Sequence, residues 1–161
     1  MTTNPELEVN QETSEAMATE TEELTGASLG YKEQIEAVIA TLAENDSAMF
    51  QKNENGHLWR FQYGSVEVFV QLTGEKDEDL LTVWSAIMPF PKQKENELMR
   101  QLLEMNGSGT FETKFAIIND QVVLLTQRIV DGLSPSEISR AITLVASLAD
   151  EYDDKLKSQY G

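Results

Sequence analysis

Apolar positions recur along this chain in two rhythms. Between Leu29 and Asn45, Ile35, Val38, Ile39 and Leu42 fall at i, i+3, i+4 and i+7, the spacing that lines one face of a helix. Asn45-Asp46-Ser47 breaks that segment, and the period then drops to two. Ala48 to Lys52 predicts a short strand. Asn53-Glu54-Asn55-Gly56 predicts a turn, because its Asn-Gly pair tolerates the positive φ of tight hairpins. Leu58 to Tyr63 alternates, with Trp59, Phe61 and Tyr63 on one face and Arg60 and Gln62 on the other. Gly64 turns the chain into Ser65–Leu72, where Val66, Val68, Val70 and Leu72 oppose Glu67, Phe69 and Gln71. After a charged turn over Thr73–Asp79, Leu80 to Met88 is longer and more apolar, as a central strand is. Pro89 and Pro91 end it.

Lys92 to Met105 predicts a second helix with Leu98, Leu102 and Met105 as its stripe, stopped by Asn106-Gly107-Ser108-Gly109. Thr110–Ile118 and Gln121–Val130 predict two strands, joined through Asn119-Asp120 as a hairpin. Phe111, Phe115 and Ile117 should share one face of the first, and Val123, Leu125 and Ile129 one face of the second. The last helix has the clearest start: Ser134 as N-cap, Pro135 at the first helical position and Glu137 completing a capping box. Its apolar positions, from Ile138 to Tyr152, keep helical spacing to about Lys157. Asp150, Glu151, Asp153 and Asp154 crowd its C-terminal half, where the helix dipole disfavours negative charge, so that end is expected to fray or else to meet a basic partner. The order is α-β-β-β-β-α-β-β-α. Strands arrive in consecutive runs, which predicts an α+β fold with an antiparallel sheet sandwiched with three helices.

Charge divides the chain. Among 161 residues, 28 Asp and Glu face 12 Lys and Arg, a net charge of −16. Residues 1–27 contain seven Glu and no base, leaving 21 acids and 12 bases, a net −9, on the remainder. A segment of this composition cannot bury enough apolar surface to offset its ordering entropy. The expected organisation is a disordered acidic tail over residues 1–28, one domain over 29–158 and a C-terminal tail over 159–161. The excess of negative charge disfavours nucleic acid and anionic membranes as partners. There is no apolar run of the roughly 18 residues a membrane span needs and no basic-then-apolar leader. Cysteine is absent, which fits a cytoplasmic location.

The residues for chemistry are scarce. The single histidine, His57, lies beside the Asn-Gly turn with no nucleophile or acid nominated near it, and reads as a turn residue. Glu75-Lys76-Asp77-Glu78-Asp79 lacks the later ligands and the glycine of a calcium loop. Helical spacing spreads Asp150, Glu151, Asp153 and Asp154 around an axis and does not converge them on a cation. Gly107-Ser108-Gly109 ends a helix, whereas a phosphate loop opens one. No cofactor, metal or catalytic residue is expected, and the chain reads as non-enzymatic.

Surface remains. The Trp59/Phe61/Tyr63 face and the Leu80/Thr82/Trp84/Ala86/Met88 face are aromatic. They form either the core or an apolar groove or dimer face; Trp59, Phe61, Trp84 and Met88 are the residues expected to contact a protein partner.

Several segments carry a family resemblance: Val83-Trp84-Ser85-Ala86-Ile87-Met88-Pro89, the helix Glu97–Asn106, the hairpin Phe115–Leu124 with its Asn119-Asp120 turn, and the capped last helix with Ala149-Asp150. Over roughly residues 30 to 157 the chain resembles the YbjN-like domains, described as bacterial sensory-transduction regulators, whose fold is similar to that of type III secretion chaperones. The resemblance implies three helices on an antiparallel sheet, usually dimeric, with no catalytic residue to carry over. Secretion chaperones are small and acidic and hold an extended client segment on apolar patches. The expected function is therefore a chaperone-like or adaptor-like protein-binding module that engages a client segment through apolar sheet and helix surfaces. A dimeric regulatory module in a stress or signalling pathway is the alternative, and a carboxylate-based small-molecule or metal-binding domain is the third reading.

Overall fold

The two rhythms sort into three helices and six strands in the expected order. In the computed structural model, which describes residues 29–161, the elements are α1 (Tyr31–Leu42), β1 (Met49–Asn53), β2 (Gly56–Tyr63), β3 (Val66–Leu72), β4 (Leu80–Pro89), α2 (Glu95–Ser108), β5 (Lys114–Ile118), β6 (Gln121–Ile129) and α3 (Pro135–Tyr160). The acidic segment 1–28 lies outside the described residues. The strands form one sheet, ordered β1-β2-β3-β4-β6-β5, with every neighbouring pair antiparallel. The most apolar strand, β4, sits inside it, as its composition required.

Alternation decides which residues meet the helices. Val66, Val68, Val70 and Leu72 of β3, Leu81 and Val83 of β4 and Val122 and Leu124 of β6 turn to one face and are buried with Ile35 and Ile39 of α1, Leu98 and Leu102 of α2 and Ile138, Ile142 and Val145 of α3. α3 lies across β3, β4 and β6, with α1 against α3 and α2 beside β5. A large-to-small change at such a site costs about 2–5 kcal/mol, through lost transfer energy and the cavity left behind. One polar side chain in this layer, Ser85, donates to the Glu67 carbonyl at 2.8 Å, so its burial leaves no hydroxyl orphaned.

The turns follow their chemistry. Asn119 and Asp120 adopt φ of 50° and 58°, the paired positive values of a two-residue hairpin. Gly64, at φ 54°, turns β2 into β3, and a Cβ there would fall 2.2 Å from Asp150 Oδ1. That close approach lets Asp150 accept from both the backbone N–H and the hydroxyl of Ser65, each at 2.9 Å, tying the turn to α3. The capping box of α3 is complete: Ser134 Oγ accepts from Glu137 N–H at 3.2 Å, and Ser134 N–H donates to Glu137 Oε2 at 3.0 Å.

Four features differ from expectation. α1 stops at Leu42, three residues early. α2 runs through Asn106 and Gly107 to Ser108, because the Asn106 amide turns to the backbone of Phe115 and not to the end of its own helix. β5 begins only at Lys114; Thr113 bonds back to the Thr110 carbonyl through both its N–H and its hydroxyl, and Phe111 takes φ 52° and stands exposed, off the face it was expected to share. α3 does not fray: it continues to Tyr160, anchored by buried Leu156 and by Asp153, whose carboxylate meets Lys157 Nζ at 2.6 Å. Tyr160 donates to Gln101 Oε1 of α2 at 2.5 Å, and its hydroxyl pKa is raised by desolvation and by nearby Glu97, which keeps that donor protonated.

Candidate protein-contact surface

With the three helices on one face, the other face of the sheet is open. Cross-strand pairing builds a continuous row along it. Met49 of β1 pairs Arg60 of β2, Arg60 pairs Phe69 of β3, Phe69 pairs Trp84 of β4, Trp84 pairs Leu125 of β6, and Leu125 pairs Lys114 of β5. Phe69 and Trp84 stack at 5.3 Å with ring planes 10° apart, a pairing worth about 0.5–1.5 kcal/mol beyond burial. Both rings are half-buried. At the β1 end, Met49, Phe50, Gln51, Leu58, Arg60 and Phe69 line a hollow of ≈ 360 Å³.

The sheet is also where the acidity stops. Its six strands contain one acid, Glu67, against Lys52, Arg60, Lys114 and Arg128. Glu67 is itself engaged by Arg60 at 3.6 Å. An apolar row flanked by glutamines and a few bases thus lies on a molecule that is negative elsewhere.

Hydrogen-bond alternation separates the two sheet edges. In β5, Phe115 and Ile117 turn their backbone groups away from β6. Asn106 takes up both groups of Phe115: its Oδ1 accepts from Phe115 N–H at 2.7 Å and its Nδ2 donates to the Phe115 carbonyl at 3.1 Å. That edge is closed by a side chain. In β1, the two-residue hairpin to β2 pairs Asn53 with Gly56 and Gln51 with Leu58, so Phe50 and Lys52 point their N–H and C=O outward. Among the described residues nothing bonds to them, and all five β1 residues are exposed.

A second apolar patch lies where α2 meets β5. Leu103 is 71% exposed and stands beside a groove of ≈ 220 Å³ lined by Met99, Leu102, Phe115 and Ile117.

The four expected contact residues separate. Trp84 lies on the open face. Trp59 and Phe61 are 3% and 1% exposed and belong to the core. Met88 was expected beside Trp84, but a register shift between Ala86 and Met88 turns it to the helix side, where it is 5% exposed. Sequence reading had passed over Phe69, Arg60, Leu125 and Lys114; a lone aromatic between Glu67 and Gln71 on an otherwise polar strand face was the available signal.

Elsewhere a few charges pair. Arg140 Nε donates to Glu112 Oε1 at 2.9 Å, which holds the Glu112 carboxyl below its usual range and raises the Arg140 guanidinium. His57 clusters with Phe50 and Trp59, ring centroids 5.7 and 5.8 Å away, and among the described residues its buried Nδ1 has no hydrogen-bond partner. Among the described residues no three His, Cys, Asp or Glu side chains group where they could hold a metal ion. No described helix is long and apolar enough to cross a membrane.

A family model matches residues 33–158: YbjN, "Putative bacterial sensory transduction regulator". The chain belongs to the YbjN family. The match spans every helix and strand from α1 to the last turns of α3. No curated protein matches the sequence. Among solved structures, a chain in the "Crystal Structure of the ExsC-ExsE Complex" is similar in fold, with a TM-score of 0.53 at 13% identity, covering 78% of this chain and 96% of that one. The YbjN domain here has the fold of a type III secretion chaperone: a six-stranded antiparallel sheet with three helices.

Proposed function

We propose that this YbjN domain is a non-enzymatic protein-binding module that holds an apolar segment of a partner protein on the open sheet face. The observation that carries the reading is the row Met49–Arg60–Phe69–Trp84–Leu125–Lys114, apolar at its centre and nearly free of acids, on a chain of net −16. Acids concentrated on the helices and loops, with Glu67 the one exception among the described strands, keep the rest of the surface solvated and repel nonspecific contacts. Arg60 and Lys114 favour a segment with apolar side chains and acidic flanks. Likeness to a chain solved in a two-protein complex agrees with a protein partner. The work is to hold and release, in a cytoplasmic setting, with no cofactor.

The Met99/Leu103/Ile117 patch is a separate surface, and its chemistry fits a second copy of the chain. A protruding Leu103 beside a groove on the same patch is what a two-fold interface requires, since each copy offers knob and hole together.

The test is affinity capture with Trp84→Lys and Phe69→Lys beside the parent chain, all shown by thermal melting to be folded. A partner retained by the parent and by Leu103→Lys, but lost from both sheet variants, supports the reading. A partner retained equally by all places contact elsewhere and overturns it.

A further inference from the structure

The sequence contains two Asn-Gly pairs, Asn55-Gly56 and Asn106-Gly107, and the fold treats them oppositely. Such a pair carries a latent reaction. The side-chain carbonyl carbon of Asn lies within reach of the next backbone nitrogen, and glycine has no Cβ to obstruct the approach. Whether the reaction runs depends on how firmly both groups are held.

Asn106 is held at both ends of its amide. It lies inside α2, which continues to Ser108. Its Oδ1 accepts from Phe115 N–H at 2.7 Å, and its Nδ2 donates to the Phe115 carbonyl at 3.1 Å. To react, this side chain must leave β5 and the last turn of α2 must open.

Asn55 is exposed at the tip of the β1–β2 hairpin, and among the described residues its side-chain amide has no hydrogen-bond partner. Only its backbone is engaged: its N–H donates to Asn53 Oδ1 at 2.9 Å, and its carbonyl accepts from Gln71 Nε2 at 3.4 Å. Gly56 forms the last pair of β1–β2, with Asn53. That pair sits at a strand end on the margin of the sheet, where local opening costs least. The glycine itself is fixed by packing. Its φ is 103°, and a Cβ there would fall 2.2 Å from the Leu72 carbonyl oxygen and 2.8 Å from Thr73 Cα. The close approach that demands Gly56 therefore also keeps the least obstructed neighbour beside Asn55.

We infer that Asn55 is a site of spontaneous deamidation, giving isoaspartate and aspartate at the tip of the β1–β2 hairpin. The Gly56 nitrogen gives its proton to solvent hydroxide and bonds to Asn55 Cγ. The Cγ–Nδ2 bond breaks, and the nitrogen takes a proton from water and leaves as ammonia. Water then opens the five-membered ring at either carbonyl. The net change is the gain of a water and the loss of an ammonia, with nothing oxidised or reduced. Opening at the main-chain carbonyl routes the backbone through Asn55 Cβ and Cγ and lengthens it by one atom. That extra atom falls in a turn whose Gly56 already abuts Leu72 and Thr73, so β1 loosens from β2. The inference does not depend on what the open face holds.

Peptide mapping of the folded full chain, after incubation at mildly alkaline pH in heavy-oxygen water, tests it. Asn55 should be the most converted of the described asparagines and at least about tenfold ahead of Asn106, a ratio equal to about 1.4 kcal/mol of extra opening cost. In denaturant the two pairs should convert at similar rates, because the fold sets the difference. An isoaspartate-specific carboxyl methyltransferase should label the peptide containing residue 55 in the aged parent and not in aged Asn55→Gln. The Gln51 amide should exchange faster in the isoaspartyl chain and stay unchanged in Asn55→Asp, which adds the charge without lengthening the backbone. Equal conversion of Asn55 and Asn106 in the folded chain overturns the inference, as does an Asn55 that reacts only in denaturant. Unchanged Gln51 exchange in the isoaspartyl chain overturns the loosening of β1.

Discussion

Single residues decide the local electrostatics of this domain. Glu112 and Arg140 share a 2.9 Å hydrogen bond between the β5 approach and α3. The carboxyl pKa is depressed in the folded state, so the pairing contributes at pH values above the ordinary carboxylate range and is lost as pH falls through the lowered value. Arg140→Ala should raise Glu112 toward the ordinary range, with the backbone hydrogen bond and Arg128 still holding part of the depression. Carboxyl NMR titration reads this directly, and an unmoved Glu112 would show that another group lowers it. Identity alone could not place this pair, 28 positions apart, because spacing along the chain says nothing about which turn approaches which helix. The same holds for Met88, whose side is set by a one-residue shift in pairing and not by its own chemistry. Trp59 and Phe61 were ambiguous for a simpler reason: an alternating strand shows two faces, and the sequence does not say which one the helices will cover.

Elements were legible where local chemistry is decisive. The capping box of Ser134 and Glu137, the Asn119-Asp120 hairpin and the alternation in β2 and β3 need no distant partner, and each stands where the pattern put it. Boundaries set by tertiary contacts were not legible. α2 passes through an Asn-Gly pair because Asn106 is wanted by β5, and α3 survives four acids near its end because Leu156 is buried and Lys157 answers Asp153. Asn106 makes a falsifiable claim about the sheet. Asn106→Ala removes two hydrogen bonds, each worth about 0.5–1.5 kcal/mol, and leaves Phe115 unpaired at the margin. Denaturant unfolding should show a loss of about 1–3 kcal/mol, and the Phe115 amide should become one of the fastest in β5. Unchanged stability with slow Phe115 exchange would refute the closing role.

At the scale of the whole molecule, charge and hydrophobicity are segregated by layer: acids on helices, loops and the N-terminal segment, apolar and amide side chains on the sheet. Much of the count was present in the sequence from the start, since two acids, Glu67 and Glu112, among six predicted strands are far below the average of the chain, and the later start of β5 leaves only Glu67. It gains meaning only once one sheet face is seen to lack a cover. The α2–β5 patch makes a prediction at this scale. Leu103→Lys opens no cavity, so the chain should stay folded, with any fall in melting temperature dependent on protein concentration, while its sedimentation should shift from two copies to one. Two copies persisting in that variant would exclude the patch as the interface.

The unequal margins of the sheet also limit growth. A β-layer that is adhesive on both sides can be extended by copy after copy into a fibre. Here one side is stoppered by an amide, and the single remaining backbone site there, at Ile117, is too short to seat a strand. If two molecules join margin to margin, each spends its one available side on the other and the sheet itself extends no further than that pair. Asn106 therefore acts as a chain terminator against filament formation as well as a structural bond.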